Sequence, residues 1–69
     1  MDVNYGIKLL EFRAKYLLTQ TQLAEILGTT LTMVYRYENR KSEPTNVKKI
    51  IFENKMKEWE EKNNENVSL

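Results

Sequence analysis

Residues 18–44 read LTQTQLAEILGTTLTMVYRYENRKSEP, and their punctuation places two short amphipathic helices on either side of one glycine. Thr19, followed three positions later by Gln22 and then by Leu23, Ala24 and Leu27, makes a capping box. In that motif one side chain takes a first-turn amide and the other reaches back to the capping amide, so a helix starts near Gln20. Gly28 stops it. Thr29 or Thr30 can cap the next helix, which runs to about Glu38 before Asn39, Arg40, Lys41 and Ser42 lead into Glu43 and Pro44. At roughly 100° per residue, Leu31, Thr32, Tyr35, Arg36 and Asn39 fall on one side of this helix, while Met33, Val34 and Tyr37 fall on the other. The second group reads as core. The first faces outward, and Leu31 in it is an exposed apolar residue in need of a reason.

The same reading extends in both directions. Tyr5, Leu9, Phe12 and Tyr16 recur at helical spacing and mark a first helix of roughly ten residues, with Lys8, Glu11 and Lys15 on its flanks. Beyond Pro44, Thr45 offers an N-cap for a last helix from Asn46 to about Lys62, a stretch without Gly or Pro. The polar end NNENVSL, residues 63–69, is expected to be a frayed, flexible tail. Strand-like alternation, internal repeats and linkers are absent from the pattern. The class is therefore all-α, a small bundle of four to five helices in one domain over residues 1–62.

Composition narrows the chemistry. The 69 residues contain neither cysteine nor histidine, and the only serines are Ser42 and Ser68. Disulfides, zinc sites of His and Cys, and hydroxyl–imidazole catalysis are excluded together. None of the ten carboxylates sits in an apolar setting that marks it for acid–base work; most read as solvated helix faces. An enzyme, a metal and a cofactor are not expected. With no apolar run of 18 residues and no basic leader before a small-residue cleavage site, the expectation is a soluble, cytoplasmic protein without a membrane span.

A formal net charge of +1 conceals an uneven distribution. Residues 29–49 carry Arg36, Arg40, Lys41, Lys48 and Lys49 against Glu38 and Glu43, whereas residues 50–69 carry Lys55, Lys57 and Lys62 against five glutamates. The basic block begins at the third helix, where a polyanion would dock, and the acidic excess lies away from it. A short helix preceded by a second helix and a tight glycine turn is the helix-turn-helix geometry, which presents its N-terminal residues to the major groove of double-stranded DNA. Arg36 is then the main base-reading residue, since a guanidinium bonds guanine N7 and O6 in two-pronged fashion. Thr32 can donate or accept at a base edge, Leu31 can pack on a thymine methyl, and Tyr35 reaches a base or the sugar–phosphate wall. Asn39, Arg40 and Lys41, together with Thr19 and Gln20 at the start of the second helix, are placed for phosphates.

Taken together, these residues resemble the phage Cro and lambda-repressor-like (XRE-type) helix-turn-helix regulators. The resemblance spans residues 9–44 and rests on Arg13, Leu18-Thr19-Gln20, Leu23-Ala24-Glu25, Leu27-Gly28, Thr30, Glu38, Lys41 and Pro44. It implies that Gln20, Thr32 and Arg36 contact DNA, that Leu31 stands at a base-facing position often polar in relatives, and that Arg13 pairs with Glu38 inside the domain. Arg40 and Leu17 stand where the family often has glycine. Lys49 and Glu53 occupy positions the phage repressors usually make apolar, so their fourth and fifth helices need not carry over.

The last helix carries two apolar stripes, one of Val47, Ile50 and Ile51 and one of Phe52, Met56 and Trp59. Either both belong to the monomer core, or the aromatic stripe of Phe52, Met56 and Trp59 forms the two-fold contact of a homodimer, which paired DNA half-sites would favour. The function expected is a sequence-specific transcriptional regulator, a Cro-like repressor occupying an operator without a small-molecule ligand. The alternative is a protein-interaction module of the same fold, an antitoxin or anti-repressor. An RNA-binding role is disfavoured, because the chain lacks the interleaved aromatic platform expected for single strands.

Overall fold

The computed structural model describes residues 5–67, with side chains described as far as Asn63. Its helices are α1 (Tyr5–Tyr16), α2 (Gln20–Leu27), α3 (Leu31–Glu38) and α4 (Asn46–Val67), and no strand occurs among the described residues. The expected caps form. Thr19 Oγ1 accepts the Gln22 amide while Gln22 Oε1 accepts the Thr19 amide; Thr30, not Thr29, caps α3 by accepting from the Met33 amide. Thr45 likewise accepts the Lys48 amide at the start of α4. That last helix continues to Val67 instead of ending near Lys62. The expected frayed tail is thus helical through residue 67, and residues 68 and 69 lie outside the described residues.

Three helices end in the same way, with a residue in the left-handed region whose amide turns back onto the helix. Leu17 (φ 55°) follows α1, Gly28 (φ 75°) follows α2 and Arg40 (φ 63°) follows α3. In each case the next amide also reaches back, from Leu18 to the Arg13 carbonyl, from Thr29 to Ala24 and from Lys41 to Arg36. These bonds satisfy carbonyls that a helix end otherwise leaves without partners. Only Gly28 adopts this conformation without steric cost; a Cβ crowds the carbonyl at the other two positions.

The core runs through all four helices. Tyr5, Leu9 and Phe12 of α1, Leu23, Ala24 and Leu27 of α2, Val34 and Tyr37 of α3, and Phe52 and Met56 of α4 are buried. Gly6 lets α1 approach the end of α3, for a Cβ there would overlap the Tyr37 carbonyl. Trp59 packs edge-on against Phe12 and Tyr16, at 5.7 Å and 4.9 Å between ring centroids. Ion pairs Lys8–Glu53 (2.7 Å) and Lys15–Glu60 (3.6 Å) line the seam between α1 and α4. There the Tyr16 hydroxyl donates to Glu60 at 2.7 Å and the Tyr5 hydroxyl to Glu53 at 3.3 Å. Burial, with Glu53 beside it, raises the Tyr5 pKa, so this phenol remains a donor.

This packing corrects the dimer-interface expectation for Phe52, Met56 and Trp59. Phe52 and Met56 are 4% and 6% exposed, and Trp59 is packed against the same cluster, so the aromatic stripe fills the chain's own groove. The physical reason is supply. α1 and α3 bring Tyr5, Phe12, Tyr16 and Tyr37 to that groove, where Phe52 packs tilted on Tyr5 and edge-on to Tyr37, and Trp59 edge-on to Phe12 and Tyr16. The stripe left outward on α4 is the other one, Val47, Ile50 and Ile51.

Leu17 is 89% exposed as well as left-handed, so glycine there should relieve strain at little loss of packing. Leu17→Gly is expected to stabilise the domain by about 0.5–1 kcal/mol, read in a thermal melt as a rise of about 2–8 °C for a domain of this size; a lowered melting temperature would contradict the strain.

Candidate nucleic-acid interface

The relative setting of α2 and α3 depends on three side chains. Arg13, in the last turn of α1, faces Glu38, the last residue of α3, through a two-pronged contact, Nε to Oε2 at 2.8 Å and Nη2 to Oε1 at 2.9 Å. Its Nη1 donates to the Leu18 carbonyl at 3.2 Å. Gln20, the first residue of α2, donates its side-chain amide to Glu38 Oε1 at 2.9 Å. The Glu38 side chain is 3% exposed and that of Arg13 25%, so the carboxylate has little water to solvate it and three protein donors take water's place. Through Glu38 the end of α1, the start of α2 and the end of α3 meet at one point. The Gln20 bond is the part that reading the sequence missed; a Gln in the first turn of α2 is equally able to face solvent, and only the fold brings it to Glu38.

Around this bracket the outward side chains of α3 stand clear. Leu31 and Tyr35 are each 48% exposed, and Thr32, Arg36 and Asn39 are exposed with them. Val34 and Tyr37 are buried on the opposite side, and Met33 packs partly against the core. The wheel therefore sorts the helix as the sequence indicates. Arg40 and Lys41 are exposed directly after it, and the left-handed turn at Arg40 bends the chain away from the helix axis there.

The residues expected at phosphates are differently equipped. Asn39 turns its side-chain amide back to the Tyr35 carbonyl at 2.9 Å, leaving its oxygen as the outward group. Thr19 accepts the Gln22 amide with its hydroxyl oxygen, and its O–H is left to donate. Gln20 is half-buried on Glu38. The start of α2 thus offers the Thr19 hydroxyl together with the helix end where the peptide dipoles favour an anion, while the Gln20 side-chain amide is engaged by Glu38. Arg40 and Lys41 are the exposed cations of the group.

No group of three or more His, Cys, Asp or Glu side chains is placed to hold a metal ion among the described residues. No described helix is long and apolar enough to cross a membrane.

A helix-turn-helix family model matches residues 9–48, which takes in most of α1, all of α2 and α3, and the first turn of α4. No curated protein and no solved structure matches the chain.

Removing the carboxylate would leave the Arg13 guanidinium and the Gln20 amide without their acceptor. Glu38→Ala is expected to cost about 3 kcal/mol of stability, and Glu38→Gln, which keeps one acceptor oxygen, distinctly less; equal melting temperatures for Glu38→Ala and the parent would remove the bracket from the account.

Proposed function

The chain belongs to the XRE-type, Cro-like helix-turn-helix family, whose members bind DNA as regulators, and on that premise we propose that it is a transcriptional repressor that occupies an operator through the major groove. The observation that carries this reading is the coincidence of the family match with an α3 that exposes Leu31, Thr32, Tyr35 and Arg36 beside the cations Arg40 and Lys41. Arg36 reads guanine, Thr32 a neighbouring base edge, and Arg40, Lys41 and the first turn of α2 hold the phosphates that fix the helix in register. A repressor of this kind needs no chemistry, because occupancy of the site excludes competing proteins. It acts inside the cytoplasm, where DNA is accessible.

We further infer that two copies bind together, on half-sites roughly one helical turn apart, about 34–36 Å between centres. The two-fold contact does not use Phe52 and Met56, which are spent in the core. Val47, Ile50 and Ile51, exposed by 67%, 63% and 43% on α4, supply apolar surface for the second copy.

Binding to a selected duplex should fall steeply with salt, and Arg36→Ala should lose about 1–3 kcal/mol of discrimination at one base pair of each half-site. Binding that is independent of both salt and Arg36 would point to the protein-interaction module instead. Ile50→Gln, which removes the apolar contact without placing a charge near the phosphates, should abolish cooperative filling of paired half-sites while leaving affinity for an isolated half-site within about twofold, as expected of a neutral substitution at an exposed position; undiminished cooperativity would remove this face from the dimer.

A further inference from the structure

We propose that Leu31 is a specificity-determining residue that packs against the 5-methyl group of a thymine, so that one position of each half-site is read by apolar contact alone. The inference rests on the DNA-binding reading above. Leu31 is the first residue of α3, stands outside the core cluster and is 48% exposed. A single exposed leucine ordinarily requires no explanation. Its surroundings supply one here. Tyr35, one turn further along the same face, is equally exposed, and Thr32 and Arg36 flank the pair. The Thr30 cap holds the first turn in place by accepting the Met33 amide at 3.2 Å, so the leucine is presented from an ordered helix start and not from a loose end.

The chemistry of the groove determines what such a side chain can recognise. Base edges in the major groove present acceptors and donors, each of which a polar side chain can pair, together with one apolar group, the thymine methyl. Leucine has no hydrogen bond to offer. Placed against a guanine, adenine or cytosine edge it displaces water from polar atoms without replacing the lost bonds, which is unfavourable. Placed against a thymine methyl it buries apolar surface on both sides, which is favourable. Leu31 thus acts in both directions at one base, and Arg36, one turn and one residue further on, adds a polar reading at another.

The discriminating probe is a duplex recovered by the parent protein from random-sequence DNA, remade with each thymidine singly replaced by deoxyuridine, which removes the methyl and leaves base pairing intact. For the parent protein, one position per half-site should weaken by about four- to tenfold, as expected for loss of one buried methyl group. For Leu31→Ala the same replacement should change affinity by less than about twofold. The exposure of Leu31 and the high helix propensity of alanine keep this variant folded, which a thermal melt verifies. If no thymidine is sensitive, or if the sensitivity persists undiminished in Leu31→Ala, the proposal is overturned while DNA binding stands. If no duplex is recovered at all, both are overturned, and the exposed Leu31 then belongs to a protein contact.

Discussion

The buried carboxylate of Glu38 is the constraint on which the arrangement of the helices depends. An ionised group with a 3% exposed side chain is stable only if donors replace its lost water, and the fold brings Arg13 and Gln20 to it from two other helices. Each donor fixes one distance. The Arg13 fork sets α1 against the end of α3, and the Gln20 amide sets the start of α2 against the same point. The angle between α2 and α3, which decides whether an outward helix can enter a groove, is consequently tied to hydrogen-bond geometry. Apolar packing alone, being non-directional, tolerates small shifts between helices; a two-pronged guanidinium–carboxylate contact does not.

The remainder of the molecule supports that point from behind. Val34 and Tyr37 press α3 onto the core, Gly6 allows the close approach of α1 to Tyr37, and the aromatic set of Phe12, Tyr16 and Trp59 binds α4 across α1. For a chain of 69 residues without cysteine, and so without a disulfide, stability must be concentrated in such contacts. That demand explains why the aromatic stripe of α4 turns inward, leaving the aliphatic stripe of Val47, Ile50 and Ile51 outward.

Much of this was legible in residues 18–44. The capping box at Thr19 and Gln22, the stop at Gly28 and the division of α3 into two faces are local properties, set by spacing within one or two turns, and the structure reproduces them. The family resemblance added Arg13–Glu38, a pair 25 residues apart that spacing alone does not connect. What the sequence left open was long-range. The choice between two apolar stripes on α4 depends on which groove the other helices leave, and the partner of Gln20 depends on where Glu38 comes to rest. The α4 helix runs past the expected stop near Lys62 to Val67, because residues 63–67 are polar but carry no breaker; polarity indicates exposure, and an exposed segment can still be helical. Which bases the outward face reads is a property of a surface with its partner, and the local pattern identifies the face without the partner's sequence.

The left-handed turn at Arg40 has a consequence of a different kind. A glycine would suit that backbone better, as Gly28 does in the equivalent turn after α2. It would also leave the loop after α3 with one cation fewer, and each cation that neutralises a phosphate contributes to binding through the counterions it frees. At this single residue, conformational ease and attraction to a polyanion pull in opposite directions. On the proposed phosphate contact of Arg40, a more stable protein obtained by relaxing the turn would therefore bind DNA with a shallower dependence on salt.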